Sequence, residues 1–178
     1  MNADFKRLTF IECFWSFFNG LIAPFLVIYF NDFGGLDEVG ISVAIMYLIQ
    51  GIVPFIIIKL FKKKKRNMKK LFLLGQSLES LRVLFFIFAK SITHIYIIQL
   101  IGGITSSLVM PSYSKIFVNV GDDENDDAFN KQVGFINLSL GISALISGFF
   151  INYFGFIPVF ILWSATEFIY GIYVYYLV

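Results

Sequence analysis

The sequence is short of the residues from which most catalytic and metal sites are built. It contains one cysteine, Cys13, and one histidine, His94, among 178 residues. A single cysteine cannot form an intrachain disulfide, and one cysteine with one histidine cannot complete a zinc site. The Cys-x-x-Cys, His-Glu-x-x-His, phosphate-loop and Gly-x-Ser-x-Gly patterns are missing from the sequence. We therefore expect neither an enzyme nor a bound cofactor or metal.

Charged residues are also scarce, at 15% of the chain, whereas hydrophobic residues make up 58% and aromatic residues 19%. Soluble domains contain about 25% charged and about 45–50% apolar residues. The mean hydropathy is +0.79. This composition argues against a water-soluble enzyme and predicts a protein whose solvent is the lipid bilayer.

Six apolar stretches are each long enough to cross a bilayer, which takes about 20 helical residues. They cover residues 8–30, 41–60, 71–89, 94–116, 132–152 and 157–177, and we number them spans 1 to 6. The connections between them are short and rich in helix breakers or charge, which leaves no room for a soluble domain. The sequence therefore predicts an all-α polytopic membrane protein in which residues 1–178 form one six-helix domain.

The basic residues outside the spans lie almost entirely on one side of the predicted membrane. Twelve fall on the side of the two termini, eight of them within residues 59–70, and Lys90 alone falls on the other side. Lys and Arg near span ends remain in the cytoplasm, whereas the acidic residues of the loop at 122–127 carry little weight. We therefore expect both termini in the cytoplasm and the protein in the inner or plasma membrane. We interpret residues 59–70 as a topology determinant that also attracts anionic lipid headgroups, and not as a nucleic-acid site.

Spans 2 and 5 begin alike. Residues 39–41 read Val-Gly-Ile and residues 133–135 read Val-Gly-Phe, and further matches follow at the same offset. This internal similarity is consistent with two three-helix repeats of opposite membrane orientation. We expect these repeats to cover about residues 1–89 and 94–178.

Small and polar residues follow one face of span 1 and one face of span 4, at intervals of three or four residues. Such a face either packs closely against another helix or lines a water-filled pathway, because unpaired polar groups do not face lipid. With flanking residues and one residue of span 2, the pathway candidates are Glu12, Trp15, Ser16, Asn19, Gln50, Gln99, Ser106 and Tyr113. The residues expected at helix-packing contacts are Gly103, Gly141, Ala144 and Gly148.

Four ionisable side chains lie inside predicted spans, namely Glu12, Glu79, Arg82 and Glu167. Each costs about 2.5–3.5 kcal/mol to insert, so each needs a partner or a function. Glu79 and Arg82 are three residues apart and are expected to pair and to stabilise the fold. Glu167 either shares Arg82 or carries a proton. Glu12 shows no partner in the sequence and is our candidate for a carboxylate that responds to protons or cations.

Residues 99–111 of span 4, QLIGGITSSLVMP, resemble the fourth helix of the major facilitator superfamily, in which a proline follows a glycine after eight residues, as Pro111 follows Gly103 here. Residues 10–29 are similar to a first helix of that family, and residues 153–160 to the connection between its fifth and sixth helices. The resemblance covers nearly the whole chain but only the N-terminal half of a usual twelve-helix transporter.

The sequence departs from the family pattern in three places. Gln99 stands where the family typically has an arginine linked to proton coupling. The loop after span 2 keeps basic residues but lacks the Gly-x-x-x-Asp-Arg-x-Gly pattern, and the glycine–proline pair typical of antiporters is missing around residues 141–148. Proton-driven drug antiport is therefore less favoured than another transport mode.

The resemblance implies that spans 1 and 4 line a central cavity and that spans 3 and 6 lie at the periphery. It also implies alternating access between two six-helix halves, which one half cannot perform alone. We therefore expect a half-size secondary transporter of a small solute that works as a homodimer or with a second six-helix half. The polar stripe suits sugars, amphipathic drugs and organic cations equally well. The alternative function is a non-transporting half, regulatory or truncated, that binds a partner helix bundle.

Overall fold

A computed structural model of the protein describes residues 3–61, 67–120 and 126–177. Most of the basic run at 59–70 and of the acidic loop at 122–127 lies outside the described residues, so the expectations for these two segments remain predictions. The described residues contain no β-strand.

Six long apolar helical segments correspond to the six predicted spans within the described residues. Span 1 consists of helix Ala3–Ile22, a 3₁₀ turn Ala23–Phe25 and helix Leu26–Asn31. The helices of spans 2 to 6 are Leu36–Phe61, Met68–Phe85 (followed by a 3₁₀ turn, Phe86–Phe88), Ile92–Val120, Asp126–Phe154 and Phe156–Leu177. The prediction of an all-α polytopic membrane protein is therefore confirmed.

Helix boundaries differ from the predicted spans where polar residues continue a helix. The helix of span 4 runs to Val120 and that of span 5 begins at Asp126, beyond the apolar stretches 94–116 and 132–152. Hydropathy marks the part of a helix that suits lipid, and not the point where its backbone hydrogen bonds stop. Pro24 lies in the 3₁₀ turn that interrupts the α-helix of span 1, since proline has no backbone N–H to donate an α-helical hydrogen bond. Gly155, with φ of 76°, forms the single-residue turn between spans 5 and 6.

The spans pack in the order 5–1–6–3–4–2. Span 1 packs extensively against spans 5 and 6, span 3 against spans 6 and 4, and span 4 against span 2. These contacts form an arc that begins with span 5 and ends with span 2. The two end spans are the least buried, with 11% of their apolar windows inside the bundle against 50% for span 6. Spans 3 and 6, which the family resemblance places at the periphery, form the back of this arc.

Two hydrophobic clusters occupy opposite ends of the bundle. The Phe72 cluster gathers residues near the start of span 1 and the end of span 6, namely Phe5, Leu8, Ile11, Phe72, Ile116, Val120, Ala128, Tyr170 and Val174. The Phe86 cluster gathers residues near the end of span 1 and the start of span 6, namely Leu21, Ile22, Phe30, Val39, Val83, Phe86, Ile95, Ile98, Val159, Phe160 and Trp163. The Tyr29 hydroxyl donates to the Phe86 carbonyl oxygen at 2.5 Å and ties span 1 to span 3 at this end. The clusters leave the middle of the bundle to polar side chains.

Glycines lie where helices approach most closely. A Cβ on Gly103 would lie 2.6 Å from Cβ of Ile49 and 2.7 Å from the Met46 carbonyl oxygen, so span 4 requires a glycine against span 2. On span 5, a Cβ on Gly148 would lie 3.3 Å from the Phe25 ring. A Cβ on Gly141 would meet nothing within 4 Å, and Ala144 is exposed. Of the four residues expected at packing contacts, Gly103 and Gly148 lie at contacts within this chain, whereas Gly141 and Ala144 face outward.

Replacing Gly103 by alanine should destabilise the bundle, because the new methyl group overlaps backbone and a β-branched side chain. Overpacking of this kind costs about 1–3 kcal/mol. Thermal unfolding of the detergent-solubilised protein measures the effect. Gly40→Ala is the matched control, for which no loss is expected, because a Cβ there would meet nothing within 4 Å and the residue lies outside the apolar stretch 41–60. Equal shifts in the two variants would contradict this packing of spans 2 and 4.

Candidate functional site

A cavity of about 290 Å³ lies between the Phe72 cluster and the Phe86 cluster, near the middle of the spans. Its size is close to the lower end of the range for small-molecule sites, about 300 Å³. Five of the six spans contribute to its lining, which consists of Trp15, Asn19, Leu26, Met46, Gln50, Gln76, Glu79, Arg82, Gln99, Ser106, Val109, Met110, Trp163 and Glu167.

The cavity brings together two groups of residues that the sequence analysis kept apart. Among the pathway candidates, Trp15, Asn19, Gln50, Gln99 and Ser106 line it. The intramembrane charge cluster of Glu79, Arg82 and Glu167 also lines it, so spans 3 and 6 contribute to the cavity and do not only form its periphery.

Arg82 and Glu79 form the expected ion pair. The Nε of Arg82 donates to Oε2 of Glu79 at 2.9 Å, and Nη2 donates to Oε1, which makes the pair bidentate. Thr105 of span 4 donates to the same carboxylate. Bidentate pairs of this kind fix orientation as well as charge. The pair therefore fixes the Glu79 carboxylate on span 3, and the hydrogen bond from Thr105 ties span 4 to it at the level of the cavity.

Aromatic rings and a glycine complete the surroundings of Arg82. Its guanidinium carbon lies 5.3 Å from the centre of the Phe86 ring and 5.6 Å from that of Trp163, within the range of cation–π attraction. A Cβ on Gly102 would lie 3.2 Å from Nε of Arg82, so the glycine leaves room for the guanidinium. Arg82 is 3% exposed as a result.

Glu167 is held by hydrogen-bond donors and not by Arg82. Its Oε1 accepts from Nε1 of Trp163 at 2.8 Å and from Nδ2 of Asn19 at 3.5 Å. Within the described parts of the chain, the carboxylate paired with Arg82 is that of Glu79. Of the two alternatives for Glu167, the one in which it shares Arg82 is therefore wrong. Glu167 instead links span 6 to span 1 across the cavity wall.

Glu12 lies outside the cavity lining and has partners that the sequence did not reveal. Gln132 of span 5 donates to Oε2 of Glu12, and the Tyr170 hydroxyl of span 6 donates to Oε1 at 3.4 Å. The ring of Tyr170 stacks on Trp15, with centroids 5.3 Å apart, so one aromatic contact separates Glu12 from the cavity. The candidates Ser16 and Tyr113 also lie outside the lining.

Three lining residues that sequence analysis missed carried a recognisable signal. Gln76 precedes Glu79 by three residues on span 3, and Trp163 precedes Glu167 by four on span 6, which places each on the face of a residue already singled out. Met46 of span 2 lies one helical turn before Gln50 in the same way.

Some lining residues have a buried polar atom with no hydrogen-bond partner among the described residues, among them Oε1 of Gln50, Nη1 of Arg82 and Oε1 of Gln99. Buried polar groups nearly always have a partner, and one left unpaired costs about 1–3 kcal/mol. Their side chains therefore have hydrogen-bonding capacity that the contacts among the described residues do not use.

Comparison with known proteins gives one match. The model of the Major Facilitator Superfamily matches residues 8–178, which include all six spans and every residue of the cavity lining. No curated protein and no solved structure matches the chain.

Replacing Arg82 by methionine should destabilise the protein strongly, because it leaves the Glu79 carboxylate, whose side chain is 15% exposed, without its cation. Breaking a buried ion pair in this way costs about 3–5 kcal/mol. The double variant Arg82→Met with Glu79→Gln should recover part of the loss, and thermal unfolding in detergent measures both.

The exposed pair of Arg7 and Asp4, 3.6 Å apart with both side chains more than half exposed, supplies the control. Arg7→Met should change stability by less than about 1 kcal/mol, because water already screens that pair. A loss at Arg82 no larger than the loss at Arg7 would contradict the structural role of the buried pair.

Proposed function

The chain belongs to the Major Facilitator Superfamily, and from this membership we propose that it is a half-size transporter that moves a small solute by alternating access, as a dimer of six-helix halves. Secondary transport across a lipid bilayer is the activity that the family implies in general. The half-size mode, the dimer and alternating access are our proposals.

The cavity is the observation that carries the proposal. Secondary transporters bind solute near the bilayer midplane, at the interface of their repeats. The cavity lies near the middle of the spans, and its lining comes from spans 1, 2 and 3 of one proposed repeat and spans 4 and 6 of the other. Its polar lining residues, such as Asn19 and Gln99, support the binding of a solute with polar groups.

The order of packing supports two inverted repeats, at about residues 1–89 and 94–178. Exchanging spans 1, 2 and 3 with spans 4, 5 and 6 turns the order 5–1–6–3–4–2 into 2–4–3–6–1–5, which is the same arc read from its other end. The crossing of spans 1 and 5 then corresponds to that of spans 4 and 2. A glycine of the inner span lies at each of these crossings, Gly20 against Ser143 and Gly103 against Ile49.

The outward faces of spans 2 and 5 support a dimer. These spans end the arc and carry glycines with open space around them, such as Gly51 and Gly141. Small residues let membrane helices approach closely. A two-fold axis would place span 2 of one copy against span 5 of its partner at both edges, in a self-complementary interface. The two cavities would then face each other across one pathway.

We also propose that both termini lie in the cytoplasm, with the protein in the inner or plasma membrane. Exposed Lys6 and Arg7 lie at the Phe72 end of the bundle, with Lys115 and Lys131, whereas Lys90 lies at the Phe86 end. This asymmetry favours the Phe72 end as the cytoplasmic one.

A second candidate function is a non-transporting half that binds another helix bundle. The exposed faces of spans 2 and 5 favour it equally, since a different bundle with small residues would cover them as well. The two candidates differ in whether the cavity becomes accessible from both sides of the membrane.

Alternating access can be tested without knowing the solute, because the chain has a single cysteine, Cys13. In a Cys13→Ser background, Ser106→Cys places a thiol in the cavity lining. A membrane-impermeant methanethiosulfonate should label it in right-side-out and in inverted vesicles alike.

Phe168→Cys, at an exposed position of apolar span 6 outside the cavity lining, is the control that should resist labelling from both sides. Labelling of Ser106→Cys from one side only would support the non-transporting half. Labelling from neither side would overturn the assignment of the cavity as the pathway.

A further inference from the structure

One carboxyl in the cavity lining has no cationic partner. The ionisable residues of the lining are Glu79, Arg82 and Glu167, and the charge of Arg82 is neutralised by Glu79. The ion pairs among the described residues do not include Glu167. When it is ionised, the lining therefore carries one negative charge in excess. A charge inside a membrane needs a partner, because neither lipid nor the protein interior solvates it, and a bound cation would supply that partner.

The carboxylate of Glu167 has an oxygen left for such a cation. Its hydrogen bonds from Trp163 and Asn19 both go to Oε1. Nε1 of Trp15 lies near the same carboxyl but forms no hydrogen bond. Within the described parts of the chain Oε2 accepts no hydrogen bond, yet it is not among the unpartnered polar atoms that are fully enclosed, as Nη1 of Arg82 is. Because Glu167 lines the cavity, the surface that Oε2 retains belongs to the cavity wall.

The rest of the lining suits the apolar part of an organic cation. Its apolar and aromatic members are Trp15, Leu26, Met46, Val109, Met110 and Trp163. Aromatic rings attract cations to their faces and apolar groups to their faces and edges. A bound metal ion would need several ligands. The described residues contain no group of three or more His, Cys, Asp or Glu side chains that could hold one.

The excess charge of the lining decides between the classes of solute. An anion would add to it, and a neutral molecule would leave it uncompensated. We propose, provided that the proposed function is right in placing the solute in the cavity, that this solute is an organic cation with one positive charge. Its charged group lies next to Oε2 of Glu167, and its apolar part lies against the apolar side chains of the lining.

The protein carries its own probe for the ligand, because Trp15 and Trp163 are its only two tryptophans and both line the cavity. Tryptophan fluorescence of the chain in a non-ionic, non-aromatic detergent therefore reports on the cavity. Three ligands of matched size and shape separate the charge classes: benzamidinium is a cation, benzamide is neutral and benzoate is an anion. The buffer is mildly alkaline and free of amines. Free N-acetyltryptophanamide corrects for collisional quenching.

Benzamidinium should bind at least about tenfold more tightly than benzamide or benzoate, the factor that a hydrogen bond to a charged group contributes. Equal binding of benzamidinium and benzamide, as a protonated Glu167 would give, would overturn the proposal. Tighter binding of benzamide or benzoate, or no response to benzamidinium up to its solubility limit, would overturn it as well.

A charge variant tests whether Glu167 is the partner of the cation. Glu167→Gln removes the charge and keeps an acceptor for Trp163. It should weaken benzamidinium binding at least about tenfold and leave benzamide binding nearly unchanged. Asp37→Asn removes the same charge at an exposed position of span 2 outside the cavity lining and should keep the preference for benzamidinium. A preference that survives in Glu167→Gln overturns the assignment.

A second variant makes the same test if Glu167→Gln does not fold. Met110 lines the cavity and is 57% exposed, so a longer polar side chain fits there. Met110→Lys adds a positive charge that balances the carboxylate, and it should abolish the preference for benzamidinium. Met110→Gln adds a polar group without charge and should keep the preference. Equal preferences in these two variants overturn the proposal.

This experiment and the labelling of Ser106→Cys fail independently. Selective benzamidinium binding with one-sided labelling would keep the ligand class and reject transport by alternating access. Two-sided labelling with no preference for benzamidinium would keep the pathway and reject the ligand class.

Discussion

An arginine inside a membrane has to be neutralised within the protein, and in this chain that requirement organises the centre of the bundle. Arg82 of span 3 is paired with Glu79, and Thr105 of span 4 bonds the same carboxylate. Trp163 of span 6 lies beside the guanidinium and donates a hydrogen bond to Glu167. Glu167 also accepts a hydrogen bond from Asn19 of span 1. One chain of contacts thus links spans 4, 3, 6 and 1, and the cavity lies beside it. These groups are therefore bonded to one another beside the cavity.

Periodicity and hydropathy predicted the helical content, the number of spans and most of their bounds, because lipid imposes the same length and composition on every crossing. The Glu79–Arg82 pair was also predictable, since both residues lie on one face of one helix. The partners of Glu12 and Glu167 were not. Gln132 lies 120 residues from Glu12 in the sequence, and only the packing of span 5 against span 1 brings the two together. The sequence also could not show that Gly141 faces outward. A stripe of small residues has the same spacing whether it packs against a helix of the same chain or of another chain.

The arrangement of the spans connects the family to the site. The arc 5–1–6–3–4–2 leaves spans 2 and 5 with the largest uncovered apolar surface, and the cavity is lined by the spans between them together with span 2. In the proposed transporter, a single arc would provide one wall of the pathway. A second six-helix unit on the faces of spans 2 and 5 would provide the other wall, and a two-fold dimer of this chain would do so with complementary surfaces.

The central claim of this account is that two copies of the chain share one pathway. The protein mass of the purified particle in nanodiscs or mild detergent, with the lipid and detergent contribution subtracted, tests that claim most directly. The account predicts a mass of twice 20.4 kDa. A stable particle of 20.4 kDa that contains one chain would contradict it.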